Sequence, residues 1–308
     1  MALSLSELKK SSGRKAIDQL NKQLADMNPK GREDDNRIWK PTRDKSGNGY
    51  AVIRFLPAPK GEEIPFVRIW HHGFKGPTGK YYIENSLTTL GKDDPCSEMN
   101  KKLWNSGIEK NKKIVSEGKD ATKRRLKYIA NIYVIKDTGN PENEGKVMLY
   151  EFGAKIFQKI NDAMNPKFED QKAINPFDLW EGANFKVRIA TVKNYPNYDE
   201  SGFDPAGPLF DDDDKIEQVW AQEYPLQPFL AEDKFKSYAQ LEKLLAAAMG
   251  NIAQIVSEGI ESAAGPDDRE SPPFDEDEPR AAKPVAAKKE ENSWTPCWPN
   301  WTPATWRS

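Results

Sequence analysis

Lys123-Arg-Arg-Leu-Lys-Tyr128-Ile-Ala-Asn-Ile-Tyr-Val-Ile135 joins four cations to the strongest strand signal in the chain. β-Branched and aromatic residues crowd positions 128–135, the composition of a pleated, half-buried strand. A loop over 137–145 leads to Val147-Met-Leu-Tyr-Glu-Phe152, which reads as its hairpin partner. Working outward, residues 50–56 (closed by Pro57), 66–70, 80–83 and 184–192 read as further strands. Helical patterns cover 16–27, 97–118, 154–164 and 233–249, the last with Phe235, Tyr238, Leu241, Leu244, Leu245 and Ala248 on one side. Helices do not alternate regularly with these strands, so a doubly wound sheet fits poorly. The pattern predicts a mainly β (α+β) chain, an OB-fold core barrel with helical insertions.

Composition divides the chain into three parts, with predicted bounds 1–27, 28–250 and 251–308. The first is a short basic arm carrying Lys9, Lys10, Ser11, Ser12, Arg14 and Lys15. The last turns to Pro, Ala and charge, too polar to bury a core, and is expected to be a disordered acidic tail. No apolar run approaches the roughly 18–20 residues that span a bilayer. Neither a secretory leader nor a disulfide framework is expected, the two cysteines being Cys96 and Cys297, so the expected location is a reducing cytoplasm.

The net charge of −2 conceals segregation. Between 101 and 127 ten Lys and Arg face three acids, whereas between 267 and 278 seven acids face one base. A basic stretch beside strand-borne aromatics suits a single strand of nucleic acid: cations release counterions from phosphates, and rings stack on any base. The candidate contacts are Arg54, Lys123, Arg124, Arg125, Lys127, Tyr128, Tyr150, Phe152, Tyr195, Tyr198 and Phe203. Tyr128 and Tyr133 cannot share a face of a regular strand. Tyr195, Tyr198 and Phe203 lie in a stretch rich in turn residues, where exposure is expected.

Several segments together resemble one family. Residues Asn48-Gly-x-Ala-Val-Ile-Arg-Phe-Leu-Pro57, His72-Gly-Phe-Lys75, Tyr82-Ile-Glu84, Ala130-Asn-Ile132, Pro141-Glu-Asn-Glu-Gly-Lys-Val147, Trp180-Glu-Gly-Ala-Asn-Phe185, Asn197-Tyr-Asp-Glu-Ser201 and Asp233-Lys-Phe-Lys-Ser237 are similar to the T-even-type phage single-stranded DNA-binding proteins, the helix-destabilising products of gene thirty-two. The resemblance implies an OB-fold that coats single-stranded DNA in phage replication, recombination and repair, in the cytoplasm of the infected host. It implies cooperative self-association through the basic arm and recruitment of replication and recombination proteins through the acidic tail. It places DNA-contacting aromatics at Tyr128, Tyr150, Tyr195 and Tyr198, with an aliphatic Ile129 where a further ring is expected. The family's structural zinc, held by one His and three Cys, falls on His72, Ser86, Cys96 and Met99, in a degenerate subdomain near 66–105. With two ligands replaced, no cofactor is expected, and apolar packing by Trp70, Phe74, Leu90 and Trp104 is expected to hold the loop.

Catalysis has little support. The two histidines, His71 and His72, are adjacent and would point to opposite faces of a strand, and no phosphate-cradling glycine loop is present. The run Asp211-Asp-Asp-Asp-Lys215 could be imagined as a nuclease metal site but reads better as a solvated loop. A single-stranded RNA-binding regulator is the alternative binding function. Trp294, Trp298, Trp301 and Trp306, interleaved with Pro296, Pro299 and Pro303, form a C-terminal feature that none of these readings absorbs.

Overall fold

The computed structural model describes residues 35–168, 170–192 and 195–250; the expected arm, its helix and the tail lie outside the described residues. The elements in order are β1 (Ile38–Trp39), β2 (Gly49–Phe55), β3 (Phe66–Lys75), β4 (Tyr81–Asn85), α1 (Pro95–Asn105), α2 (Glu109–Ser116), β5 (Arg125–Asp137), β6 (Val147–Gly153), α3 (Ala154–Met164), β7 (Phe185–Val192), β8 (Tyr195–Asn197), β9 (Gly202–Phe203), α4 (Asp213–Trp220) and α5 (Tyr238–Met249).

Strand β5 is the axis. Along one edge it pairs antiparallel with β6, from Lys127↔Gly153 to Tyr133↔Val147. Its other edge is divided: the first half pairs with β3, Phe66↔Ala130 to His71↔Arg125, and the second with β2, Ala51↔Asp137 to Phe55↔Ile132. β2 carries β7 on its far side, β7 carries β8 and β9, and β1 pairs parallel with β6. The order is β1-β6-β5-β2-β7-β8, with β4 joined through β3 and β9 through β7. Among the described residues no pairing brings β7 or β8 round to β1 or β4, and the strands form an open, mixed sheet in the expected α+β arrangement.

Alternation along β5 sorts the interior. Leu126, Tyr128, Ala130, Ile132 and Val134 point into one cluster with Phe55, Tyr150, Phe152, Phe177 and Phe185. Ile129 points into a second, formed with Val67, Phe74, Tyr82, Leu103, Leu241 and Leu245. Tyr133 packs on a third, against Phe210. Tyr128 and Tyr133 therefore do take opposite faces. Both faces of β5 are covered, so even Asn131 is buried; its side chain donates to the Tyr224 carbonyl and accepts from the Tyr224 N–H.

Several expected boundaries move for local reasons. The pattern over 97–118 is two helices, because Gly107 sits at φ 73°, a left-handed turn that ends the first. The pattern over 233–249 narrows to 238–249, where Ser237 and Gln240 form a reciprocal cap. On that helix Leu241, Leu245 and Ala248 are buried, while Tyr238 and Leu244 face outward. The aspartate run expected as a loop instead opens α4: Asp212 caps the Asp214 N–H, and Asp213 and Asp214 fill the first turn, where carboxylates favour the helix dipole. Buried Asp137 accepts from the Trp39 indole, the N–H groups of Gly139 and Asn140 and the Asn143 amide, fixing β1 and the 137–145 loop against β5.

Glu223 is the polar group that packing treats worst. Both its carboxyl oxygens are buried without a hydrogen-bond partner, and burial, aided by the charge of Glu62, pushes its pKa up to about 8. An acid whose folded pKa exceeds its ordinary 4.5 adds stability that is complete below pH 4.5 and is lost as the pH rises through 8. Thermal melts of the full chain between pH 5 and pH 9 should therefore fall with pH. Glu223→Gln should flatten that fall; an equally steep fall in the variant would assign it to other groups.

Candidate nucleic-acid interface

The basic segment ahead of β5 lies beside two lysine-bearing helices. Lys101, Lys102, Lys110 and Lys113, on α1 and α2, are exposed, as is Lys119 in the connection to β5. Lys123, Arg124 and Arg125 are half-buried. The Arg124 guanidinium lies over the Trp70 ring, 4.1 Å from its centroid, and Arg125 donates to the Lys119 carbonyl. Lys127 has turned inward and pairs with Glu151 at 3.2 Å. Beside it, burial first and then the Lys127 charge push His71 down to about 4, so its imidazole is neutral at pH 7.

The expected stacking residues divide into three groups. Tyr128, Tyr150 and Phe152 are core, with 1%, 3% and 4% exposure. Tyr128 lies parallel to Phe157 with centroids 4.0 Å apart and also stacks on Phe152; Tyr150 meets Trp39 edge-on at 5.0 Å. Exposing such a ring forfeits about 1.5–3 kcal/mol of burial, as much as a base stack of about 1–3 kcal/mol returns. These three rings are packed inside the core rather than open to solvent. Tyr198 and Phe203, expected in the open, are half-buried against the same cluster, with Phe203 4.7 Å from Phe185. Tyr195, at 59% exposure, presents its ring to solvent.

Other half-exposed rings cover this cluster from outside. Phe66 on β3 and Phe157 on α3 pack on Tyr128, in company with Tyr198 and Phe203. Arg68 is exposed directly across the β3–β5 register from Tyr128. From α3, Lys155 pairs with Asp199 at 3.2 Å and Lys159 donates to the Asp199 carbonyl, tying the 195–203 loop to the helix. Sequence reading passed over Phe66, Arg68 and Phe157. The available signal was positional: Phe66 and Arg68 alternate on a strand two residues apart, and Phe157 follows one helical turn after Ala154.

Arg54, expected as a DNA contact, is instead buried, with 1% exposure. Its guanidinium donates to the carbonyls of Asp178 at 2.9 Å, Leu179 at 3.3 Å and Gly207 at 2.7 Å, and to the Asn184 amide oxygen at 3.3 Å. Burial lowers its pKa while the Asp178 charge opposes that. A Cβ at Gly182 would lie 3.0 Å from the guanidinium and collide with the Asp178 carbonyl, so glycine is required for this close approach.

The residues at the expected metal positions do not fit a tetrahedral zinc. The His72 ring uses both nitrogens: Nδ1 lies 2.9 Å from the Thr122 carbonyl and Nε2 3.3 Å from Asp94. Ser86 caps a short turn by accepting from Thr88, and Met99 is an apolar member of the second cluster. No group of three or more His, Cys, Asp or Glu side chains among the described residues could hold a metal. Asp94 also accepts from the backbone N–H groups of Cys96 and Ser97 as the cap of α1, and from that of Leu87 outside the helix. Burial alone would raise Asp94, but His72 and these donors outweigh it and hold it down at about 2. For His72, burial opposes the charge, while the Cys96 sulfur and Asp94 favour it and raise its pKa. Since burial also raises the Cys96 thiol, the lasting anion is Asp94. A buried ion pair thus joins β3 to α1, alongside packing by Phe74, Leu90 and Trp104; Trp70 belongs to the other cluster.

Half-buried and exposed rings on the sheet, together with a pair of helices bearing exposed lysines, are the equipment of a nucleic-acid-binding module. The chain matches the family model "gp32 DNA binding protein like" over residues 47–249. It is 40% identical over 227 residues to the single-stranded DNA-binding protein of Enterobacteria phage T2, covering 71% of this chain and 72% of that protein. It is 39% identical over 246 residues to the protein of that name in Enterobacteria phage T4, covering 77% and 79%. A third relative, from Escherichia phage SV14, is 49% identical over 63 residues, 20% of this chain and 55% of that protein. The chain belongs to the gp32-like DNA-binding protein family.

Two substitutions check these assignments. Arg54→Lys keeps the charge but cannot bridge the carbonyls, and should cost about 2–4 kcal/mol in denaturant unfolding. DNA affinity per folded molecule should not change; a selective loss of affinity at full stability would return Arg54 to the interface. Asp94→Asn should cost about 3–5 kcal/mol, as expected when one partner of a buried pair is removed. A loss under about 1 kcal/mol would show that packing alone holds this region.

Proposed function

We propose that the chain binds single-stranded DNA with little sequence preference and without catalysis. The strand would run along the lysines of α1 and α2, the Lys123–Arg125 segment and the face bearing Arg68, Phe66, Phe157, Tyr198, Phe203 and Tyr195. The observation that carries this reading is the family match over residues 47–249, joined by two phage relatives named single-stranded DNA-binding proteins. The rings and cations supply the chemistry: stacking tolerates every base, and phosphate contacts are blind to sequence. Preferential binding to the unpaired strand melts hairpins by mass action. In this reading the scaffold is a partly open barrel of the OB type, with β5 shared among β2, β3 and β6.

The role extends to coating and protecting DNA during phage replication, recombination and repair in the infected host's cytoplasm. In the same reading residues 1–27 mediate cooperative self-association, 28–250 bind DNA without zinc, and the acidic part of 251–308 recruits replication and recombination proteins. Among the described residues no helix is long and apolar enough to cross a membrane.

Titrating the full chain with homopolymers at increasing salt tests the proposal. The logarithm of affinity should fall linearly with that of salt, with a slope of about −0.7 per phosphate contact. Lys123→Ala with Arg125→Ala should flatten the slope, and Tyr195→Ala should weaken binding by about 1–3 kcal/mol if the ring stacks. Salt-independent binding, tighter binding to matched RNA, or cleavage of labelled strand with magnesium would each overturn the reading. Deleting residues 1–16 should lower cooperativity more than intrinsic affinity.

A further inference from the structure

A second surface carries the opposite charge. Pro57, Ala58, Leu179, Trp180, Ile216 and Trp220 line a groove of about 590 Å³, with Asp213 and Glu217 on its rim. Leu179 and Ile216 are buried and form the floor, while Trp180 and Trp220 stand 54% and 39% exposed. Each indole is fixed by its N–H: Trp180 donates to Asp213 at 2.8 Å and Trp220 to the Ala58 carbonyl at 3.3 Å. Two large rings are thus held in place with area open to solvent, so little side-chain entropy remains to be lost on binding. Asp211, Asp212, Asp214 and Glu181 are exposed acids close in sequence to the lining residues, and Lys215 pairs with Asp212. This field repels a polynucleotide, so the DNA-binding proposal leaves the groove unused.

We propose that the tryptophan- and proline-rich segment 280–308 of the same chain docks in this groove. Three properties of the sequence support that occupant. Charge is complementary: Arg280, Lys283, Lys288, Lys289 and Arg307 against Glu290 and Glu291 give 5 − 2 = +3 for residues 280–308. The acidic stretch 267–278, by contrast, would be repelled. Chemistry is complementary too, since Trp294, Trp298, Trp301 and Trp306 alternate with Pro296, Pro299 and Pro303. Residues preceding proline favour extended backbone, and such segments dock in aromatic-lined grooves at low ordering cost. Finally, the connection reaches: the thirty residues from 251 to 280 span up to about 100 Å extended, more than twice the roughly 40 Å breadth of a domain this size. Docking closes residues 251–279 into a loop and ties the acidic stretch to the domain at both ends.

Cys297 lies inside the proposed segment, and the other cysteine, Cys96, is 0% exposed. A benzophenone maleimide on the full chain under native conditions therefore labels Cys297 selectively. Photolysis at low protein concentration, followed by peptide mass spectrometry, should give cross-links within one chain to residues 57–58, 179–180 and 213–220. Glu217→Lys, at an exposed position, should lower their yield about five-fold, the effect of roughly 1 kcal/mol of charge interaction. Trp298→Ala with Trp301→Ala, in the docking segment, should reduce it at least as far without touching the folded domain. Cross-links concentrated on residues 101–127, scattered over the surface, or formed only between chains would overturn the proposal. So would a groove yield that neither substitution changes.

Discussion

The 13-residue strand β5 must serve three partners at once, and the rest of the structure depends on that constraint. Its β6 edge spans the point where the other edge passes from β3 to β2, so one register fixes all three pairings. Side chains on a strand alternate, and a slip of one residue would exchange Tyr128 with Ile129 and invert both clusters. Where β5 meets β2 the register shifts between Val52 and Ile53, Val52 facing Lys136 and Ile53 facing Val134, so Ile135 of β5 is the extra residue of a bulge. The aromatic cluster is anchored at Tyr128, which touches Phe66, Phe152 and Phe157 from three different elements. The interface face is consequently stiff where the rings interlock and open only at its outer members.

How much of this was legible depends on how local the signal is. β2, β5, β6, β7 and α3 follow from periodicity and turn residues, because each is long enough to display a pattern. β1 and β9 are two residues each and exist only through pairing, β1 with β6 and β9 with β7, so no window of sequence reveals them. The Asp211–Asp214 run was misread as a solvated loop because like charges repel. At the start of α4 the same charges meet unpaired N–H groups, and that attraction prevails. Gly107 was present in the sequence, but lysines on both sides of it sustain helical propensity, which hid the break.

The candidate site was legible in its charges and less so in its rings. The exposed lysines of α1 and α2 lie where the basic stretch placed them. Alternation shows that Tyr128 and Ile129 face opposite ways; it cannot say which side is core when helices and loops cover both. Tyr128, Tyr150 and Phe152 consequently read as platforms although they are the foundation on which Phe66, Phe157 and Tyr198 rest. Arg54 misled for a related reason. A cation on a strand suggests a phosphate, and only tertiary structure supplies the three carbonyls that take its place.

Charge segregation gives the domain two surfaces of opposite sign. At physiological ionic strength fields decay over about 8 Å, so patches farther apart than that do not cancel despite a net charge near zero. The lysine-bearing helices attract a polyanion, and the aspartates opening α4 repel one while favouring a cation. Buried polar groups keep each surface in position: Arg54 beneath the 178–207 region that supplies Trp180, and the His72–Asp94 pair beneath the start of α1. Neither contact need add net stability over a well-packed apolar core to matter. Each fixes the pose of a chain segment that bears exposed charge, and fixed charge is what distinguishes one polymer from another at a surface.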